Sequence, residues 1–78
     1  MTTASKNRTR FVVCVDNSGY VASLELHKIY RSVLDRDAAT DGDIRVVDES
    51  GEDYLYSKDR FVPINVPVTV RESLVHAH

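Results

Sequence analysis

The segment 44–64 constrains the fold more than any other part of this sequence. Ile44 and Val46 lie two positions apart in a predicted strand over 44–49, and Tyr54 and Tyr56 have the same spacing after an acidic interval, so each pair shares one face of a half-buried strand. Ser50-Gly51 lies in the middle of that interval. A small polar residue followed by glycine favours a tight turn, so the pattern predicts a β-hairpin.

The residues after the hairpin predict a one-turn helix, an edge strand and a short terminal helix. Residues 57–60 suit one turn of tight helix, and 61–66 are rich in strand-favouring residues. Pro63 cannot donate to a ladder, so we expect this strand to be short or to lie at a sheet edge. Pro67 suits the first position of a helix over 67–75.

The first half of the chain predicts further strands and one ambiguous segment. Residues 11–15 fit a strand that ends at a turn, and 20–23 fit a second extended piece. Segment 23–34 has apolar residues at helical spacing, yet its β-branched and aromatic content also suits a turn over 24–27 and then a strand over 28–34. We favour the strand, with the helix as the alternative.

Length and cysteine content limit the class of protein. With 78 residues the chain makes at most one domain with a small core. No apolar run approaches the roughly 20 residues that span a bilayer, and no adequate apolar segment follows the basic N-terminus, so we expect neither a membrane span nor a secretory signal. Cys14 is the only cysteine, which excludes an intrachain disulfide and favours a buried thiol. A reducing cytosol suits such a thiol, so we predict a cytoplasmic protein.

Acidic residues are concentrated in the middle of the chain. The net charge is −2, and segment 35–53 holds eight acids against Arg36 and Arg45. Such a surface suits a basic partner and opposes nucleic acid, which needs clustered lysine and arginine. Solvated acidic loops without a partner are the plain alternative. A nucleic-acid-binding barrel is the second hypothesis, because several bases elsewhere offer a basic side: Lys6, Arg8, Arg10, Lys28 and Arg31.

The polar loop 35–43, in which Ala38-Ala39 forms at most one helical turn, invites comparison with a calcium hand. Counted from Asp37, the loop has acids at positions one, five, seven and twelve and Gly42 at position six. Ala39 occupies position three, where a ligand is required, and valines follow where a helix should leave the loop. A solvated loop is the better interpretation, and a calcium-binding loop is a remote alternative.

Patterns typical of catalysis are weak. His27 has no motif partner in Cys14 or in a serine, and Glu49 and Glu52 flank a hairpin tip, which offers little of the desolvation that acid–base catalysis needs. The glycines are isolated, so no phosphate-binding loop is indicated. We predict a non-enzyme without a metal or cofactor.

The tyrosines are a stronger indication of function. A small barrel with so many amphipathic rings is expected to expose some of them, and exposed rings beside acidic loops are common at peptide-binding surfaces. The alternative is that most of them are half-buried core residues whose hydroxyls reach the edge. The rings are Tyr20, Tyr30, Tyr54, Tyr56 and Phe61.

The run Tyr54-Leu55-Tyr56-Ser57 through Phe61-Val62-Pro63-Ile64 resembles the last third of a Src-homology-3-like barrel. In that fold a strand ends in an aromatic residue, a one-turn helix follows, and an aromatic-led strand closes the barrel. Residues 24–30 are similar to its early turn. The resemblance implies a mainly β, five-stranded, mostly antiparallel barrel over 10–66. A short helix over 67–75, a disordered tail over 1–9 and a frayed tail over 76–78 complete this division of the chain.

Two departures from that family bear on the ligand. In its peptide-binding members the corresponding aromatic residue precedes a proline, whereas Ser57 follows Tyr56 here, and this chain has no tryptophan. The sequence therefore predicts against proline-rich ligands. Through residues 51–56 the chain is also similar to short, stand-alone bacterial proteins, a likeness that implies no activity.

The first functional hypothesis is a cytoplasmic interaction module that binds a protein partner or a second copy of itself. Aromatic residues provide the contact and the acids of the hairpin steer a partner of opposite charge. The predicted contact residues are Tyr20, Tyr54, Tyr56 and Phe61, and the steering residues are Asp48, Glu49, Glu52 and Asp53.

Overall fold

The computed structural model describes residues 9–75, which form one five-stranded antiparallel sheet with two short α-helices. Helix α1 (Arg36–Thr40) joins the second strand to the third, a 3-10 helix (Lys58–Arg60) joins the fourth to the fifth, and α2 (Val68–Val75) ends the described chain. The mainly β class with a short C-terminal helix is confirmed. Of the tails predicted over 1–9 and 76–78, residues 1–8 and 76–78 lie outside the described residues, whereas Thr9 begins the first strand. The strands are β1 (Thr9–Cys14), β2 (Ile29–Val33), β3 (Asp43–Val47), β4 (Asp53–Ser57) and β5 (Phe61–Ile64).

The sheet has the order β4-β3-β2-β1-β5, and its inner face carries the core. In β1, which begins inside the predicted tail, Val12 and Cys14 point to the inner face and Phe11 points to the outer face, because side chains alternate along a strand. Leu24, fully buried, belongs to the same core although it lies outside the strands. The buried core cluster consists of Val12, Cys14, Leu24, Tyr30, Val46, Tyr56 and Phe61.

The two edge strands, β4 and β5, are joined by only three residues. The chain from Ser57 to Phe61 spans at most about 14 Å, whereas a flat sheet of five strands would hold its edges about 19 Å apart. The sheet must therefore curl, and the Tyr56 and Phe61 ring centroids lie 5.9 Å apart. Strands β4 and β5 do not pair with each other, so the sheet is open between them. Pro63 lies on an edge strand of four residues, as predicted.

The ambiguous segment 23–34 contains a turn followed by strand β2, which confirms the favoured interpretation. The strand is selected by its neighbours, because β1 and β3 pair with both of its sides. The extended piece predicted at 20–23 is wrong. The amides of Ser23 and Leu24 both donate to the Tyr20 carbonyl, at 2.9 and 2.8 Å, which closes a turn there.

The connection between β1 and β2 is fastened to the end of β1. The His27 amide donates to the Cys14 carbonyl at 2.7 Å, and the Cys14 amide donates to the Lys28 carbonyl at 3.0 Å. His27 adopts a φ of +68°, the left-handed region that histidine enters more readily than most residues. Residues 15–26 are therefore held as a loop over the end of the sheet.

The loop predicted over 35–43 contains the single helical turn expected at Ala38-Ala39. Asp35 caps this turn, since its Oδ1 accepts from the Ala38 amide at 3.0 Å and its Oδ2 accepts from Arg45 Nε at 2.8 Å. Hydrogen bonding from the Ala38 amide and then from Arg45 lowers the pKa of Asp35. The cap also ties α1 to β3.

Helix α2 lies against the outer face of the sheet. The Arg71 guanidinium lies 5.2 Å from the centroid of the Phe11 ring, which is buried although it points away from the inner core. The helix begins one residue later than predicted, because Pro67 lies before it and its carbonyl accepts from the Arg71 amide at 2.9 Å. Thus α2 shields an aromatic ring that the open sheet alone would expose.

Candidate functional site

The structure separates the four predicted aromatic contact residues into two pairs. Tyr56 and Phe61 are each only 6% exposed and belong to the core, so their prediction as surface contacts is corrected. Tyr20 is 43% exposed and Tyr54 is 49% exposed. The curl of the sheet causes the difference, because it brings Tyr56 and Phe61 together from opposite edges.

Tyr20 is anchored to the core by its ring. Its centroid lies 5.1 Å from that of Tyr56 at an interplanar angle of 84°, an edge-to-face arrangement. The Arg60 guanidinium lies 4.6 Å from the centroid of the Tyr20 ring, within the range of a cation–π contact. Tyr20 therefore presents an exposed ring that is already held in place.

Arg60 also fastens the loop that carries Tyr20. Its Nη1 donates to the carbonyls of Ser18 and Asp16, at 2.8 and 3.2 Å, and lies 3.6 Å from the Asp16 carboxylate. The Ser18 amide donates to that carboxylate at 2.9 Å and is the main reason why the pKa of Asp16 is lowered. Sequence reasoning missed Arg60, because its contacts span more than forty positions.

Asp48 is a structural residue rather than a steering charge, which corrects its predicted role. It is 6% exposed, and its carboxylate accepts from the Ser50 amide at 2.9 Å, from Ser50 Oγ at 2.6 Å and from the Tyr56 hydroxyl at 2.6 Å. Burial raises the pKa of Asp48, but the hydrogen bonds from Ser50 and Tyr56 outweigh it, so that the pKa is lowered overall. Burial, and then the Asp48 carboxylate, raise the pKa of Tyr56 to about 12.

Glu49 is already occupied by partners within the chain. Its Oε2 accepts from Lys28 Nζ at 2.6 Å and from the Tyr30 hydroxyl at 2.5 Å. These two bonds, that from Lys28 first, lower the pKa of Glu49, while burial and the bond to Glu49 raise the pKa of Tyr30. The Glu49 amide donates to the Ser23 carbonyl at 3.0 Å, so the β3–β4 turn touches the loop that carries Tyr20.

Glu52 and Asp53 are the exposed acids beside Tyr54. The Tyr54 hydroxyl donates to Glu52 Oε1 at 3.1 Å, and this bond is the main cause that raises the pKa of Tyr54. Asp53 Oδ2 lies 3.8 Å from Arg45 Nη1, in a loose and partly exposed ion pair. Tyr54 lies on the same face of β4 as Tyr56, the ring that Tyr20 touches. We refer to Tyr20, Glu52 and Tyr54 as the tyrosine–acid face. Asp53 pairs with Val47 and points to the outer face of the sheet, so its predicted place beside the tyrosines is corrected.

The calcium-hand alternative does not fit the fold. The segment that leaves the acidic loop is strand β3 rather than a helix, and the twelfth position, Asp48, is bonded to Ser50 and Tyr56. Within residues 9–75, no group of three or more His, Cys, Asp or Glu side chains is arranged to hold a metal ion.

The basic residues do not gather on one side of the described structure. Arg10 pairs with Ser32 while its neighbour Phe11 pairs with Arg31, so Arg10 and Arg31 lie on opposite faces of the sheet. Lys28 is in an ion pair with Glu49. Lys6 and Arg8 lie outside the described residues.

The chain matches no protein-family model, no curated protein and no solved structure. Across residues 9–75 there is no helix with the length and apolarity to cross a membrane.

Proposed function

We propose that this chain is a non-catalytic, cytoplasmic interaction module whose tyrosine–acid face binds a protein partner with basic and apolar side chains. The observation that carries the proposal is the exposure of Tyr20 and Tyr54, at 43% and 49%. Hydrogen bonds within the chain hold the loop that carries Tyr20 and the hydroxyl of Tyr54 in place. Tyrosines present a large contact area at low cost in conformational entropy, which makes them frequent anchors of interfaces.

The local charge supports a basic partner. Glu52 accepts a hydrogen bond from the Tyr54 hydroxyl, and the segment 35–53 that contains Glu52 holds eight acids against two bases. Electrostatic complementarity of this kind mainly accelerates association and excludes acidic competitors. Binding through this face is therefore expected to weaken as salt is raised.

The scaffold proposed for this face is a Src-homology-3-like barrel. The strand order, the curl that three connecting residues impose on the edges, and the one-turn helix between β4 and β5 support it. Cys14, buried and unpaired, is consistent with the cytoplasm as the proposed compartment.

Selection of random peptides on the wild-type protein tests the proposal. We expect the selected peptides to combine lysine or arginine with apolar residues. Tyr20→Ala and Tyr54→Ala should each weaken binding about tenfold, the loss typical of an interface anchor. Leu55→Ala is the matched control, since Leu55 neighbours Tyr54, is 47% exposed and points to the opposite face of β4.

Three results would contradict the proposal. They are a selection without enrichment, an equal loss of affinity in Leu55→Ala, and unchanged affinity in both tyrosine variants. Circular dichroism of each variant separates loss of contact from loss of folding. Sedimentation of the wild type over a range of concentrations tests a second copy as the partner, in which case Tyr54→Ala should shift the protein toward the monomer.

A further inference from the structure

A second candidate site lies on the outer face of the sheet, away from the tyrosine–acid face. It is a groove of about 550 Å³ between the end of α2 and the β3–β4 turn. Phe11, Ile29 and Val47 of the sheet and Leu74 of α2 provide its apolar lining. Its volume falls within the range of small-molecule sites.

Arg31 lies in the middle of this lining. The register aligns Phe11 of β1, Arg31 of β2 and Val47 of β3 in one row across the outer face. Side chains opposite each other in such a row approach within about 5 Å, so the aliphatic part of Arg31 packs between two apolar neighbours. Arg31 is half-buried and is one of the residues that line the groove.

The Arg31 guanidinium lacks a counter-charge within the described part of the chain. None of the ion pairs or side-chain hydrogen bonds among residues 9–75 includes it. The acids that also border the groove are occupied, Glu49 by Lys28 and Tyr30, and Asp48 by Ser50 and Tyr56. A cation in a partly apolar groove therefore retains its full capacity to bind an anion.

We propose that this groove binds a small monocarboxylate with an apolar body. The carboxylate pairs with the fork of the Arg31 guanidinium, and the apolar body lies against Phe11, Val47 and Leu74. The planar guanidinium matches both oxygens of a carboxylate, and the aliphatic lining favours a chain or ring without further polar groups. The proposal does not depend on the tyrosine–acid face, since it concerns the opposite face of the sheet.

Titration with octanoate, followed by amide chemical shifts in ¹⁵N spectra, tests this proposal. We expect saturable shifts at Arg31, Val47 and Gly51 at concentrations up to about 10 mM, the range that ligand efficiency allows for ten heavy atoms. 1-Octanol has the same chain without the charge, and its affinity should be lower than that of octanoate by a factor of about ten or more. Octylamine should not bind the groove, because Arg31 repels its ammonium group and the acids at the border of the groove are already paired within the chain.

Arg31→Gln should weaken octanoate binding about tenfold, and Arg31→Lys, which keeps the charge but loses the fork, should weaken it less. Arg36→Gln is the matched control, because Arg36 also makes no ion pair with a described residue but lies on α1, outside the groove lining. Absence of saturable shifts, equal affinity for octanol, or unchanged affinity in both Arg31 variants would overturn the proposal. The dispersion of each variant's spectrum reports whether it has folded.

Discussion

At the scale of single residues, the buried bond between Tyr56 and Asp48 links the core to the β3–β4 turn. The hydroxyl donates to the carboxylate at 2.6 Å, and both residues are 6% exposed. A hydrogen bond to a buried charged group contributes more to stability than a bond between neutral groups. If the donor is removed, the buried carboxylate cannot replace it with water. The bond also fixes the position of the ring that Tyr20 contacts.

Tyr56→Phe is therefore expected to lower the free energy of unfolding by about 1–2 kcal/mol at pH 7, measured by urea denaturation. Since Asp48 has a lowered pKa in the folded state, its contribution is present above its unfolded pKa of about 3.9 and is lost as the pH falls through its folded pKa. The difference in stability between wild type and Tyr56→Phe should then narrow as the pH falls through the folded pKa of Asp48. At high pH the wild type loses stability as the pH rises. The pKa of Tyr56 is raised to about 12 in the folded state, so its contribution is present below its unfolded pKa of about 10 and is lost as the pH rises toward 12.

Tyr54→Phe is the control for this prediction, since the Tyr54 hydroxyl bonds to the exposed Glu52. Its urea midpoint should stay close to that of the wild type across the same pH range. An equal loss of stability in the two variants, or a difference for Tyr56→Phe that does not depend on pH, would show that the buried bond is not the cause.

At the scale of elements, the β3–β4 turn holds the acids and carries Tyr54 at its exit. The Gly51 amide donates to the Asp48 carbonyl at 3.0 Å, and Gly51 has a φ of +86°, in the region that favours glycine. A Cβ added at Gly51 would meet no atom within 4 Å. Any cost of substitution must therefore come from the backbone rather than from a clash.

Gly51→Ala is accordingly expected to lower the free energy of unfolding by about 1 kcal/mol, measured by urea denaturation. Gly51→Asn should cost less, because asparagine enters the left-handed region more readily. Equal stability of the alanine variant and the wild type would mean that the turn adopts another conformation.

At the scale of the whole molecule, the basic residues of the described chain are not gathered on one face of the sheet. Arg10 and Arg31 lie on opposite faces, Lys28 is neutralised by Glu49, and the acids of 35–53 outnumber the bases around them. Nucleic-acid affinity requires bases gathered along one surface, so this arrangement argues against the nucleic-acid hypothesis for the described residues.

We expect the protein to pass through a heparin column without retention at low salt, near 50 mM. The measurement is the elution position, with a basic protein of similar size as the control. Retention that weakens steeply with salt would favour nucleic-acid binding instead, since counterion release has that signature.

Much of the architecture is predictable from the sequence for local reasons. The i, i+2 spacing of Ile44 with Val46 and of Tyr54 with Tyr56, Ser50-Gly51 in the turn, and Pro63 on a short edge strand each depend on local preferences of a few residues. The 3-10 helix after Tyr56 is predictable for the same local reason. The strand at 28–34 is a harder case, because its helical spacing was overruled by pairing with β1 and β3.

The sequence by itself determined most of the elements, their order and the acidity of the middle segment, but not the turn at 20–23 or the choice of strand over helix at 28–34. Only the tertiary structure decided which rings and acids reach solvent, because the curl of the sheet brings Tyr56 and Phe61 together and leaves Tyr20 and Tyr54 outside. It also decided that Arg31 lies beside an apolar groove with no ion-pair partner among residues 9–75, since that depends on the register of three strands and on the position of α2. Burial and pairing are long-range properties, and no local pattern contains them.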